Sequence, residues 1–127
     1  MSMFNVEQAD QQAITQLIQD YTEGTATGDI AVIDQTFHDD FRVIALTQEG
    51  SRILDKPTYL SLLKDGKIGG VSRVLKVKHI EIQDKTAHAT ITLTSDKVTF
   101  NDQLQFIQDS QGWKIINNLT QVLSIKH

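Results

Sequence analysis

The sequence predicts an α+β domain, with helices in the first half of the chain and a β-sheet in most of the second half. Apolar residues first recur at three- and four-residue spacing, as on one side of a helix, and from residue 71 onward they alternate with polar residues, as in strands with one buried face. A length of 127 residues suits one hydrophobic core and is short for two. We therefore predict a single domain, residues 1–127, with helices packed on one side of the sheet.

Three amphipathic segments predict three helices. The first covers residues 6 to about 25, and its apolar stripe ends in Tyr21. Asp29 is positioned to cap a short second helix that ends near His38. Asp55 is positioned to cap a third helix, which has Pro57 in its first turn.

The remaining segments predict strands. Residues 41–47 are rich in β-forming side chains, and residues 51–54 read as a short return strand. After residue 71, turns at residues 84–85, 95–97 and 109–112 divide the chain into four strands of a meander. With the turns at these places, one face of the meander is almost entirely apolar and requires a cover.

Two polar residues, Asp102 and Asn117, interrupt this apolar face. The turn at residues 109–112 sets Leu104 opposite Asn117 and Asp102 opposite Leu119, so the two polar side chains are diagonal neighbours. An ionised carboxylate is costly to bury, so Asp102 must be hydrogen-bonded, partly hydrated or protonated. It is either a group that faces open space in a ligand pocket or an acid at a frayed margin of the sheet.

Two aromatic residues could contribute to the same pocket. Tyr21 lies on the buried stripe of the first helix, and a buried tyrosine usually has a partner for its hydroxyl. Trp113 opens the last strand and could stack against a ligand. The alternative for both is a purely structural place in the core.

Two other polar clusters are weaker candidates for a functional site. His79, Glu81 and His88 would share the outer face of one hairpin, where a divalent metal is conceivable but a hydrated surface is the simpler interpretation. The polar corner at residues 38–40 is explained equally well by a turn and by acid–base chemistry. There is no GxGxxG, Walker-type, GxSxG or HExxH motif, so we assign no catalytic residue, no metal and no cofactor.

Charge and composition narrow the range of partners. The net charge is −4 and Lys and Arg are scattered, which disfavours a nucleic-acid partner. The chain has no cysteine, which excludes disulfides and thiolate metal sites. No stretch has the length of a membrane span or the pattern of a leader peptide, so we expect a cytoplasmic protein without a membrane partner.

Short motifs resemble those of the nuclear transport factor 2-like superfamily, and more narrowly its lumazine-binding-like branch, most of whose members have no established function. They are Tyr21-x-x-Gly24, Gly28-Asp29, an aromatic-bounded segment at residues 37–41 and a closing Gly-Trp-Lys-Ile at 112–115. The resemblance implies a cystatin-like cone, in which a curved antiparallel sheet and about three helices enclose a cavity. It also implies a homodimer that packs through the sheet.

The ketosteroid isomerases of this superfamily allow a closer comparison. Their pattern has a helix tyrosine eight residues before an aspartate and a strand aspartic acid four residues before a phenylalanine, and Tyr21 and Asp102 match these positions. The resemblance implies that these two side chains form an oxyanion-binding pair. The isomerase base, however, falls on Ala45, which cannot transfer a proton.

These observations lead to three hypotheses. The first is a module that binds a small, mostly apolar or aromatic molecule without turnover, through Tyr21, Asp102, Asn117 and Trp113. The second is a dehydratase, cyclase or isomerase that uses the same cavity, with Asp40 or a histidine as its base. The third is a non-catalytic assembly domain that acts through the polar outer face of the sheet.

Overall fold

A computed structural model describes residues 3–124 of the chain, with side chains described from residue 7. Three helices and six strands follow one another along the chain. They are α1 (Met3–Thr27), α2 (Ile30–Thr36), β1 (Phe37–Thr47), β2 (Gly50–Asp55), α3 (Lys56–Lys64), β3 (Val74–Gln83), β4 (Thr86–Thr94), β5 (Val98–Asp109) and β6 (Gly112–Ser124). The predicted α+β class and its element order are confirmed.

Helices α2 and α3 begin where the sequence places their caps, whereas α1 begins at Met3, three residues before its predicted start. The Asp29 carboxylate accepts a hydrogen bond from the Val32 amide, and the Asp55 carboxylate accepts one from the Thr58 amide. Helix α2 ends at Thr36, two residues before the predicted end at His38, because the chain is already extended at Phe37. Strand β1 is accordingly four residues longer than residues 41–47 predict.

The six strands form one sheet in the order β2-β1-β6-β5-β4-β3. Four of the neighbouring pairs are antiparallel, as predicted, whereas β1 and β6 run parallel. The register shifts within the β1–β6, β3–β4 and β5–β6 pairs. Irregularities of this kind bend strands and increase their twist, which curves the sheet around its inner face.

The core lies between α1, α3 and this inner face. Phe37 and Phe41 stack with their ring centroids 3.7 Å apart, and Tyr59 of α3 meets Phe37 edge-on at 5.2 Å. Ile14 and Ile18 of α1 are fully buried against them. The meander supplies the other wall, with buried Ala87, Ala89, Ile91, Leu93, Leu104, Phe106 and Ile115.

One irregularity reverses which side chains of β6 point toward the core. Phe106 pairs with Ile115, but the next residue on β5, Gln105, pairs with Asn117, so Ile116 is an extra residue on β6. Because side chains alternate between faces, one extra residue turns every later side chain to the other side. The predicted inward placement of Asn117 and Leu119 is therefore wrong, and Asn118 and Thr120 are buried instead.

A buried lysine joins the helical layer to the sheet. The Lys56 amine donates to the carbonyl oxygens of Asp34 and Phe37, at 2.9 and 3.1 Å, and lies 3.0 Å from an Asp34 carboxylate oxygen. A buried ammonium requires partners of this kind. The contacts fix the start of α3 against the junction of α2 and β1.

Candidate functional site

Tyr21 reaches the inner face of the sheet from α1. It follows Ile14 and Ile18 on the buried stripe of the helix and is 5% exposed. Two threonines beside it, Thr22 and Thr25, are also buried, and their hydroxyls donate to main-chain carbonyls one turn earlier. The polar groups on this part of α1 are thus satisfied locally, and the Tyr21 hydroxyl projects toward β6.

Asp102 approaches the same point from β5 and is 1% exposed. One carboxylate oxygen accepts a hydrogen bond from the Asn118 amide at 3.2 Å, and the other accepts one from the Thr120 hydroxyl at 2.5 Å. Asp102 fits neither predicted alternative, open space in a pocket or a frayed margin of the sheet, because it is buried and both of its oxygens face side-chain donors. The acid is part of a hydrogen-bonded network within the core.

Asn118 joins the two predicted residues. Its amide nitrogen donates to the Tyr21 hydroxyl at 3.0 Å as well as to Asp102, and the residue is fully buried. Its carbonyl oxygen, Oδ1, has no hydrogen-bond partner within the described part of the chain. A buried acceptor without a partner costs about 1–3 kcal/mol, so this atom is a specific place where a donor would be favourable.

Burial controls the ionisation of the network. Loss of water raises the pKa of Asp102, and hydrogen bonds from Thr120 and Asn118 oppose this shift. Burial, followed by the nearby Tyr59 and Asp102, raises the pKa of Tyr21 well above its usual value. Burial also raises the pKa of Tyr59 to about 12. Both phenols therefore stay protonated at neutral pH and can act as hydrogen-bond donors.

Arg73 carries the positive charge nearest to this network. Its charge lowers the pKa values of Tyr21, Tyr59 and Asp102, which opposes the effect of their burial. One guanidinium nitrogen donates to the Thr25 hydroxyl, and the guanidinium lies 5.3 Å above the ring of Phe100. The Nε atom of Arg73 is buried without a partner within residues 7–124.

A groove of about 630 Å³ opens beside Arg73. One wall is the segment 69–73, which links α3 to β3, and the other is the turn between β4 and β5. Its lining combines apolar residues with two cations, one carboxylate and small hydroxyl groups: Gly69, Val71, Ser72, Arg73, Ser95, Asp96, Lys97, Val98 and Phe100. Arg73 therefore borders the groove and also acts electrostatically on the buried network.

The other two predicted site residues lie elsewhere. Asn117 is on the outer face, where its amide donates to the Gln105 side chain at 3.1 Å. Trp113 is 9% exposed, and its indole nitrogen donates to Asp10 near the beginning of α1 at 3.0 Å. The structure thus brings Tyr21 and Asp102 together, and it gives Trp113 a place in the core beside the amino-terminal half of α1.

The side chains considered as bases lie away from this network. His38 lies 3.0 Å from Asp109 in the β5–β6 turn and accepts a hydrogen bond from the Asp40 amide. Asp40 is exposed on β1. His79 and His88 are on the outer face of the sheet, with their ring centroids 5.7 Å apart. These four groups are outside the Tyr21–Asp102 network.

The fold is that of the nuclear transport factor 2-like superfamily. A nuclear transport factor 2-like protein of unknown function from Silicibacter pomeroyi superposes with a TM-score of 0.80 at 13% identity, covering 97% of this chain and 100% of that chain. A second, from Shewanella baltica, gives 0.80 at 12% identity, covering 97% and 98%. A cystatin-like domain of unknown function from Nostoc punctiforme gives 0.75 at 16% identity, covering 89% and 76%.

The sequence defines the family more narrowly. Residues 9–120 match the family described as "Putative lumazine-binding", and the chain belongs to that family. No curated protein matches the chain. The resemblance identified from short motifs is thereby confirmed for both the superfamily and this branch.

Sequence reasoning missed Asn118, Thr120, Arg73 and Tyr59 as members of the site. Tyr59 lies in the amphipathic segment that predicts the third helix, where a core position is the simplest interpretation. The signal for Asn118 is the pair of adjacent asparagines, because one residue of any such pair in a strand faces inward. Arg73 follows a glycine-rich stretch, and its contacts depend on how that stretch returns over α1.

Proposed function

We propose that the protein is a small-molecule-binding module whose ligand enters the groove beside Arg73 and hydrogen-bonds to the network beneath it. One observation carries the proposal: two buried polar atoms close to Tyr21 and Asp102, Asn118 Oδ1 and Arg73 Nε, lack partners in the described residues. The first is an acceptor and the second a donor. A ligand that offers both a donor and an acceptor would satisfy them together.

This pair of requirements defines a ligand class. A ring with adjacent N–H and C=O groups supplies a donor and an acceptor on one edge, and its flat faces suit Phe100 and the Arg73 guanidinium. Lumazine, named in the description of the family, is a flat bicyclic molecule of this class. We therefore propose lumazine or a related heteroaromatic compound as the ligand.

Arg73 must move for such a ligand to reach Asn118. Its described polar contact is the hydrogen bond to Thr25, together with the ring contact to Phe100. Moving the side chain breaks these two contacts and leaves the packed core closed.

The proposed role is binding without turnover. The titratable groups that act on Asp102 are Tyr21, Tyr59 and Arg73, and neither a protonated phenol nor a guanidinium offers a basic site. The isomerase base position is Ala45, and the groups considered as bases lie outside the network. A carbonyl oxygen could be held by Tyr21 here, but the network offers no second group placed to remove a proton.

Calorimetric titration with lumazine tests the proposal. We expect one molecule per chain, and Tyr21→Phe and Asp102→Asn should each weaken binding about 2- to 13-fold, because each disturbs a hydrogen bond of about 0.5–1.5 kcal/mol that orients Asn118. Asn117→Ala is the matched control, because this side chain is on the outer face. Weaker binding in Asn117→Ala with normal binding in the other two variants would contradict the proposal.

A further inference from the structure

Three side chains on the outer face of the β3–β4 hairpin form a cluster that the ligand site does not use. Each of His79, Glu81 and His88 offers one donor atom such that all three atoms lie within 4.8 Å of one another. We propose that this cluster binds a divalent cation of the zinc type, on the opposite side of the sheet from the ligand site. The proposal is independent of the ligand.

A bulge in β3 turns two of these side chains outward. Val77 pairs with Ile91 on the inner face, but His79 pairs with Thr90, so Lys78 is an extra residue. Without it, the alternation that places Val77 inward would place His79 and Glu81 inward as well. Downstream of the bulge Glu81 lies directly opposite His88, and His79 is their neighbour two residues earlier.

The donor set matches the chemistry of zinc. Two imidazoles and one carboxylate are a known three-ligand set, which leaves a fourth position for water. Donors on a tetrahedral zinc with bonds of about 2.0–2.1 Å are about 3.3 Å apart, and His88 Nε2 already lies 4.0 Å from Glu81 Oε2. All three side chains are exposed, so small rotations can close the site without disturbing the core.

The surroundings support coordination. The Gln83 amide donates to Glu81 Oε2 at 3.2 Å and so helps to orient the carboxylate, as outer-shell partners do in metal sites. Glu81 and His88 line a depression of about 290 Å³, which leaves room for a coordinated water. Because β3 is the edge strand, an ion can also approach from the side of the sheet.

Calorimetry with zinc chloride on the metal-free full chain tests this site. We expect one zinc ion per chain and a rise in the unfolding temperature with zinc concentration, because an ion that binds the folded chain stabilises it. His79→Ala, Glu81→Gln and His88→Ala should each lower the affinity at least about tenfold, the effect that even outer-shell changes have on zinc sites.

The matched control is His38→Ala, which removes a histidine that pairs with Asp109 away from the hairpin. It should leave zinc affinity and stoichiometry unchanged. Circular dichroism without zinc should show that all four variants fold, so that lost affinity reports on coordination. Absence of zinc uptake by the unaltered chain, or equal uptake by His79→Ala and His88→Ala, would overturn the proposal.

Discussion

At the scale of single residues, Asp102 is an acid whose surroundings oppose its charge. Its pKa is raised because it has lost contact with water, and the hydrogen bonds from Thr120 and Asn118 compensate only in part. A raised pKa in the folded state means that the folded chain binds this proton more tightly than the unfolded chain does. The stabilising effect is complete at low pH and is lost as the pH rises through the folded-state pKa.

Thermal unfolding over a range of pH therefore distinguishes the unaltered chain from Asp102→Asn. As the pH falls through the folded-state pKa of Asp102, the unfolding temperature of the unaltered chain should rise relative to that of Asp102→Asn. The difference between the two temperatures should level off at higher pH. Asparagine does not titrate, so the difference isolates this one group. A change of the opposite sign would contradict the account of Asp102.

Individual residues also show how much of the candidate site the sequence predicts. Tyr21 and Asp102 could be identified because each is a polar group in an otherwise apolar pattern, and they match a known pairing of residues. Strict alternation across Ile116 predicts Asn117 on the inner face, whereas the extra residue places Asn118 there. The contacts of Arg73 could not be predicted, since they depend on the path of a glycine-rich segment.

At the scale of elements, turns and caps are the most predictable features. Asp29 and Asp55 cap helices as expected, and the three turns of the meander lie where the sequence places them. The bulges at Lys78 and Ile116 could not be predicted, because a single extra residue has no distinct composition and its effect is to shift the register. Both bulges decide which side chains reach a proposed site.

The segment after α3 is held closely against α1. The Gly70 amide donates to the Thr25 carbonyl at 2.9 Å, and a Cβ atom at Gly69 would overlap that carbonyl and the Leu63 side chain. Gly69→Ala should therefore destabilise the chain by about 1–3 kcal/mol more than Gly70→Ala, as overpacking does. Gly70 is the matched control, since its φ of +76° is close to the +69° of Gly69 but its Cβ would meet open space.

Denaturant unfolding of the two variants measures this difference. Both substitutions introduce the same backbone strain, so the difference reports the steric contact alone. Equal stability of Gly69→Ala and Gly70→Ala would show that the 69–73 segment does not lie against Thr25. This segment would then not form a wall of the proposed groove.

At the scale of the whole molecule, the class and element order follow from composition and periodicity. Alternation after residue 71 predicts a sheet with one apolar face, and the amphipathic segments before it supply the cover. The parallel pairing of β1 with β6 was not predicted, because it joins segments far apart in the sequence. No helix within residues 3–124 is long and apolar enough to cross a membrane.

Association of two chains through the outer face of the sheet remains a prediction. Light scattering should give a mass of twice 14.3 kDa, and Gln103→Arg, on the outer face of β5, should shift the mass toward that of one chain. Gln111→Arg, in the β5–β6 turn, is the control. A monomer for the unaltered chain would contradict this assembly.

The proposed ligand bonds to the buried network through Asn118. Nuclear magnetic resonance of the 15N-labelled chain tests it most directly, because the side-chain amides of Asn117 and Asn118 report from opposite faces of the sheet. Saturating lumazine should shift the side-chain signals of Asn118 and leave those of Asn117 in place. Shifts confined to Asn117, or none at either residue, would contradict the account.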